Sequence, residues 1–234
     1  MTIALRWSSV QARVALACER AGRSPSDVAI IAVSKTHPSD AIRAAFAAGA
    51  SDFGENYAQE LATKLAEFDA APLGLSTPAQ PVRWHYIGRL QRNKVKLVAG
   101  KVALIHAVDS LELAEEIGKR AGAALQPILL AVNLGGELTK GGITAEAAPT
   151  LARALAAVAG CSLDGLMTMP PPSDDPAASR PYFEQLRALR DQLQESLGRP
   201  LPVLSMGMSH DFEVAVACGA THIRVGTAIF GSRA

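Results

Sequence analysis

Lys35 is the side chain of this sequence best placed for covalent chemistry. It follows an apolar run at residues 28–33 and comes three residues before Pro38. An apolar run without polar alternation predicts a strand buried on both faces, and proline suits the first position of a following helix. Lysines at strand ends usually extend into solvent, and the run alone favours that interpretation. Burial of the amine would instead favour its neutral form, which is the form that makes Schiff bases.

Two segments near the C-terminus combine glycine, hydroxyl and cationic groups in a way that is typical of anion sites. The candidate residues are Ser205, Gly207 and Met208 in one segment and Arg224, Gly226 and Thr227 in the next. Backbone N–H groups in such segments can point at a phosphate, which (β/α)8 enzymes commonly bind after strands seven and eight. The alternative is that both glycines only relieve crowding at barrel corners. The presence of both segments favours a phosphorylated ligand.

The order of strands and helices predicts where these residues meet. Eight strand-like runs alternate with helical segments, and an amphipathic helix at residues 3–21 precedes the first strand. The last strand is predicted at residues 222–230. We therefore predict an α/β fold, a single (β/α)8 TIM barrel over residues 1–234 with an extra N-terminal helix. A doubly wound open sheet is the alternative, but it would normally carry a glycine-rich turn at residues 34–36.

A lysine and an anion pocket at one barrel mouth suit a phosphorylated aldehyde that is held as an imine. Pyridoxal 5′-phosphate (PLP) fits this description, and its pyridine nitrogen needs an Asp or Arg partner. Arg224 is the available cation, and Asn56 at the end of the predicted second strand is a candidate for contact with the ring hydroxyl or the imine region. A barrel isomerase of a phosphorylated sugar is an alternative that explains the phosphate site without Lys35.

Five stretches carry a resemblance to a known family. They are AVSKTHP, FGENYAQE, WHYIGRLQRNKVK, HAVDS and SMGMSHDFEVAVACGATHIRVGTAIFG. On these stretches the sequence resembles the YggS/PROSC family of pyridoxal phosphate-binding proteins over almost the whole chain. The resemblance implies a (β/α)8 fold like the N-terminal domain of alanine racemase. It also implies a role in vitamin B6 (PLP) homeostasis, as a binder and carrier of the cofactor rather than as an enzyme with robust turnover.

The same resemblance implies a role for each candidate residue. Lys35 would carry PLP covalently as an internal aldimine, Asn56 would lie beside the ring, and Arg224 would face the pyridine nitrogen. The residues implied for the phosphate are Ser205, Gly207, Met208, Gly226 and Thr227. No catalytic residue and no metal ligand is predicted.

A PLP-dependent amino-acid racemase is the alternative function. Racemisation needs acid/base groups on both faces of the cofactor, and Lys35 can serve only one. In alanine racemase the opposing tyrosine comes from a C-terminal domain, which we expect to be absent because this chain ends with its barrel. The tyrosines at positions 57, 86 and 182 are not placed convincingly to replace it. A charged arginine at the ring nitrogen further argues against transamination, although racemases tolerate it.

Composition limits the partners and the compartment. The formal net charge of the 234 residues is +1, which gives no reason to expect nucleic acid or an anionic membrane. No signal peptide or membrane-spanning run is apparent, and the three cysteines have no metal-ligand spacing. We expect a cytoplasmic protein that is a monomer.

A local basic run stands out against this neutral background. It consists of Arg89, Arg92, Lys94, Lys96 and Lys101. A solvated helix face is the favoured interpretation. The alternative is a functional role: the run would be a docking surface for anionic ligands or for an acidic apo-enzyme that receives the cofactor. Nucleic acid is disfavoured because no aromatic residues alternate with the charges.

Overall fold

Eight parallel strands close into a barrel in sequential order. A computed structural model describes residues 1–70, 82–123, 125–137 and 141–231. The strands pair in the order β1 to β8, and β8 pairs with β1 to close the sheet. Ala29 lies opposite His222 and Ala32 opposite Val225 at this closure. The predicted (β/α)8 barrel is confirmed, and the open-sheet alternative is wrong.

The strands are short and mostly buried, as expected for a sheet covered by helices. They are β1 Ala29–Val33, β2 Asp52–Glu55, β3 Arg83–Tyr86, β4 Leu104–Val108, β5 Gln126–Ala131, β6 Cys161–Met167, β7 Val203–Met208 and β8 His222–Val225. All of them run parallel, so their carboxyl ends form one mouth of the barrel.

The helices surround this sheet. They are α1 Ile3–Arg20, α2 Ser39–Ala47, α3 Ala58–Ala70, α4 Leu111–Arg120, α5 Ala148–Ala156, α6 Arg180–Leu197, α7 Phe212–Ala217 and α8 Thr227–Phe230. Short 3-10 helices lie at Pro25–Asp27, Arg92–Leu97 and Pro176–Ser179. Helix α1 is the predicted extra N-terminal helix; it buries Trp7, Val10 and Val14 and packs against α7 and α8.

The predicted last strand is too long. Strand β8 ends at Val225, and residues 227–230 form the helical turn α8. The N–H groups of Ile229 and Phe230 both donate to Gly226 O at 2.9 Å, which closes this turn. The apolar residues Ile229 and Phe230 are buried by the turn. Their β-like composition reflects this burial and not strand pairing.

Candidate functional site

The loop that carries Lys35 begins two residues before it, where β1 ends at Val33. Thr36 in this loop has φ +66°, the only positive value among the described non-glycine residues. Such a conformation is unfavourable for a residue with a β-branched side chain. The Thr36 N–H donates to Glu60 Oε1 at 2.6 Å, and this bond fixes the backbone immediately after Lys35.

A buried polar cluster around Lys64 also holds this loop. Lys64 Nζ lies 2.7 Å from Glu55 Oε1 and from Glu60 Oε1, and it donates to Ser34 O at 2.8 Å. Ser34 Oγ donates to Glu55 Oε1 at 2.6 Å. Burial raises the pKa of Glu55, although the bonds from Lys64 and Ser34 oppose that shift. These contacts hold the backbone on both sides of Lys35.

A cavity of about 330 Å³ opens where the strands end. Six of the eight predicted cofactor-binding residues line it, namely Lys35, Asn56, Met208, Arg224, Gly226 and Thr227. They come from the ends of four different strands, β1, β2, β7 and β8. The closed barrel therefore brings the predicted lysine and the predicted anion segments to one wall.

Ser205 and Gly207 are not among the residues that line this cavity. Ser205 is fully buried, and its Oγ accepts a hydrogen bond from Arg224 Nη1 at 2.6 Å. Gly207 has φ +90°, and a Cβ atom there would lie 2.5 Å from Ala215 Cβ. Ser205 thus supports Arg224 from behind, while Gly207 allows β7 to approach α7.

The arginine at the wall is held rigidly. Arg224 Nη1 donates to Ser205 Oγ, and Arg224 Nη2 donates to Thr168 O at 2.9 Å. Burial lowers the pKa of Arg224 to about 10, so the guanidinium still carries its charge at neutral pH. A fixed cation of this kind suits a pyridine nitrogen or another acceptor atom in the cavity.

Ser209 joins the two anion segments, although it was not among the predicted cofactor-binding residues. Its Oγ accepts the N–H of Gly226 at 3.1 Å and the N–H of Ala228 at 3.3 Å. It therefore lies among the backbone donors that follow β8, and it lines the cavity. The available signal was a second hydroxyl in the segment of residues 205–209.

Several other wall residues were not among the predicted cofactor-binding residues. They are Val33, His37, Ile87, Met169, His210 and Gly231. His37 stacks on Phe230 with ring centroids 5.0 Å apart, which places a flat surface beside the Lys35 loop. An apolar side chain at a strand end carries no distinctive motif, which is why Ile87 was not selected from the sequence.

None of the three tyrosines lies on the wall of this cavity. Tyr86 donates its hydroxyl to Asn56 O at 3.2 Å, and burial raises its pKa to about 12. Tyr57 is 50% exposed. Within the described residues, no tyrosine faces Lys35 across the cavity.

Comparison with known proteins identifies the family. The chain matches the family described as alanine racemase, N-terminal domain, over residues 7–234. A pyridoxal phosphate homeostasis protein of Aquifex aeolicus is 45% identical over 230 residues, covering 97% of each chain. That of Pseudomonas aeruginosa is 43% identical over 234 residues, covering 99% of this chain and 96% of its own.

The chain belongs to the family of pyridoxal phosphate homeostasis proteins. A solved relative, PipY of Synechococcus elongatus with PLP bound, is 35% identical with a TM-score of 0.81. The match covers 98% of this chain and all (100%) of PipY. The resemblance inferred from the five sequence stretches is confirmed.

A second depression lies beside the first, on the basic side of the mouth of this family member. It has a volume of about 880 Å³ and includes Arg89, Arg92, Lys94 and Asp109 among its lining residues. Asn56 lines both this groove and the smaller cavity. We call it the basic groove; its carboxylate, Asp109, accepts a hydrogen bond from the backbone of residue 142 at 3.2 Å.

The described part of the chain contains neither a membrane-spanning helix nor a metal cluster. No described helix is long and apolar enough to cross a membrane. Within the same residues, no group of three or more His, Cys, Asp or Glu side chains is arranged to hold a metal ion.

Proposed function

We propose that this protein binds PLP, holds it covalently on Lys35, and acts in cytoplasmic vitamin B6 homeostasis. The supporting observation is that one cavity gathers Lys35, the buried cation Arg224 and the donors around Ser209. The curated relatives carry the name of pyridoxal phosphate homeostasis protein, and PipY contains bound PLP.

The groups on the wall fit the three reactive parts of PLP. The Lys35 amine suits the aldehyde, which PLP supplies as an electrophile for a C=N bond formed with release of water. Arg224 suits the pyridine nitrogen. The phosphate suits the hydroxyls of Ser209 and Thr227, and Ser209 is held in place by the N–H groups of Gly226 and Ala228.

Arg224 directs this site away from strong electron-sink chemistry. A guanidinium that stays charged disfavours protonation of a ring nitrogen beside it. Because the unprotonated ring withdraws electrons less strongly, carbanions beside the cofactor gain little stabilisation. We therefore propose a binding and carrier protein, not a transaminase or a lyase.

Delivery of the cofactor would use the basic groove. Arg89 and Arg92 are exposed at its wall, and Asn56 connects the groove to the cavity. An apo-enzyme with an acidic face complements this charge, and the contact would form beside the cofactor that is to be transferred. We propose that the carrier works as a monomer and as a single domain.

Absorbance after addition of PLP tests the binding proposal. The wild-type protein is expected to develop the visible band of a lysine-bound cofactor, whereas Lys35→Ala is not. Lys94→Ala, which removes a lysine of the basic groove, serves as the matched control and is expected to retain the band. An equal band in Lys35→Ala would contradict the assignment.

Optical purity distinguishes a carrier from a racemase. The loaded protein is incubated with single-enantiomer amino acids and compared with Lys35→Ala. A carrier leaves the enantiomer unchanged. Racemisation above the Lys35→Ala control would overturn the carrier assignment, and His37→Gln and His210→Gln would then identify the second acid/base group at the wall.

A further inference from the structure

A chain of hydrogen bonds crosses the barrel interior from Arg224 to Asp52. Arg224 Nη1 lies 2.6 Å from Ser205 Oγ, and Ser205 Oγ lies 2.8 Å from His106 Nδ1. His106 Nε2 lies 3.1 Å from His85 Nδ1, and His85 Nε2 lies 2.9 Å from Asp52 Oδ1. Strands β4 and β7 are not neighbours in the sheet, so the bond between His106 and Ser205 spans the interior.

The ionisation of Asp52 fixes the direction of the last bond in the chain. Burial disfavours the Asp52 carboxylate, but hydrogen bonds from His85 and Arg83 outweigh it and hold the pKa of Asp52 well below its ordinary value. An ionised carboxylate only accepts, so His85 Nε2 must carry a proton and donate it to Asp52.

The remaining protons follow in sequence. Burial lowers the pKa of His106 well below its ordinary value, so this ring is neutral and has one N–H. Arg224 can only donate, so Ser205 Oγ accepts from it and the Ser205 hydroxyl donates to its other partner, His106 Nδ1. The single N–H of His106 is then on Nε2, and it donates to His85 Nδ1. Every bond thus points from Arg224 toward Asp52.

Arg224 needs such a connection because its charge is buried. The ion pairs found among the described residues do not include it. Asp211 favours the charge from a distance, but it already accepts bonds from Ser179 Oγ and Met208 N, each at 2.7 Å. A buried cation without a partner is costly, whereas aligned hydrogen bonds polarise one another and carry charge stabilisation across several groups.

The surroundings of the chain are consistent with this direction. His222 lies beside it, with ring centroids 6.1 Å from His85 and 6.3 Å from His106. Burial lowers the pKa of His222 to about 4, so at neutral pH it adds no competing positive charge. Arg83 pairs with Asp52 at 2.6 Å from the outside and has a side chain that is 54% exposed.

We propose that Asp52 is the remote counter-charge of Arg224, and that His85 and His106 are positioning residues which transmit its effect through Ser205. The chain keeps the guanidinium charged and oriented at the cavity wall. The part of this inference that concerns the pyridine ring rests on the proposed function. The direction of the hydrogen bonds does not.

Nitrogen NMR of the unloaded protein tests the direction without any cofactor. Histidine ring ¹⁵N shifts at neutral pH are expected to show both His85 and His106 as neutral Nε2–H tautomers. The exposed His210 provides an internal reference for a ring outside the chain. An Nδ1–H tautomer or a doubly protonated ring at either position would overturn the proposal.

A double-mutant cycle tests the link to the cavity. PLP affinity is measured for Asp52→Asn, Ser205→Ala and the double variant, with thermal unfolding to verify folding. Each single change is expected to weaken binding about tenfold, and the double variant also about tenfold, because either change interrupts the same chain. Ser205→Ala alters no charge, so long-range electrostatics alone would not couple the two sites.

Arg83→Gln is the matched control for the cycle, because it removes the arginine that pairs with Asp52 and leaves the chain intact. Its PLP affinity is expected to stay within about twofold of the wild type. Additive effects of about a hundredfold in the double variant, or no effect of either single change, would overturn the proposal. Failure of the wild-type protein to bind PLP would refute the proposed function. The NMR measurement would still test the direction of the hydrogen bonds between Arg224 and Asp52.

Discussion

At the scale of single residues, Lys64 decides whether the Lys35 loop is held. It is the buried cation that faces Glu55, whose side chain is fully buried and whose Oε2 has no partner among the described residues. We predict that Lys64→Met lowers the free energy of unfolding by about 3–5 kcal/mol, since it leaves an uncompensated buried charge. Urea unfolding measures this. Lys119→Met, at an exposed helix position, is the control and should change stability by less than about 0.5 kcal/mol.

The pH dependence of that variant provides a second measurement. Loss of the ammonium raises the pKa of Glu55 beyond the rise that burial already causes. A carboxyl with a raised folded-state pKa favours folding at low pH and loses that contribution as pH rises through the folded value. The deficit of Lys64→Met should therefore shrink between about pH 7 and about pH 5. A constant deficit would contradict the role assigned to Glu55.

His222 is a residue whose titration should be visible in stability. Burial lowers its pKa from 6.5 to about 4, so it contributes stability above the unfolded value that is lost as pH falls. The wild type should lose roughly 2 kcal/mol more than His222→Gln between about pH 7.5 and about pH 5. His210→Gln, at an exposed histidine, is the control. Equal slopes for His222→Gln and the wild type would refute the assignment.

At the scale of elements, the contact between β7 and α7 depends on Gly207. A Cβ atom there meets Ala215 Cβ at 2.5 Å and Phe212 Cα at 3.1 Å, and φ is +90°. We predict that Gly207→Ala costs about 2–4 kcal/mol in chemical unfolding, from backbone strain and overpacking together. Gly198→Ala has φ +62° and open space around it, so it should cost only about 1 kcal/mol. Equal costs would show that crowding by α7 is unimportant.

The sequence predicted the elements better than their ends. Alternating apolar runs and helical segments are local patterns, and they predicted eight strands, the extra helix α1 and the barrel. The end of β8 was misjudged because residues 227–230 are as apolar as a strand but are buried by a turn. Lys35, Asn56 and Arg224 were predicted because their residue types are distinctive at strand ends, and all three line the cavity.

The hydrogen-bonded chain inside the barrel could not be predicted from the sequence. His106 and Ser205 are 99 residues apart, and they meet only because the sheet closes. The sequence also could not show that Ser205 contacts Arg224, so Ser205 was predicted as a phosphate ligand. In the structure its hydroxyl bonds to Arg224 Nη1, and Ser205 does not line the cavity. Ser209, which follows the end of β7, lies at the wall.

At the scale of the whole molecule, the basic groove distinguishes direct transfer of the cofactor from release into solvent. We predict that Arg92→Glu slows transfer to an acidic apo-enzyme several-fold and leaves release into buffer unchanged, because it reverses a charge at the docking surface. Stopped-flow absorbance measures both rates. Lys101→Glu changes a residue of the same basic run that does not line the groove, and it should transfer at the wild-type rate. Equal slowing by both variants would indicate a general charge effect.

Borohydride reduction of the PLP-loaded protein, followed by peptide mass analysis, tests the central claim most directly. Reduction converts the C=N bond into a stable secondary amine, so the modified residue can be located. We predict one pyridoxyl group, carried by the peptide that contains Lys35, and its absence from Lys35→Ala. A pyridoxyl group on another lysine, or no modified peptide from the loaded wild-type protein, would contradict the account.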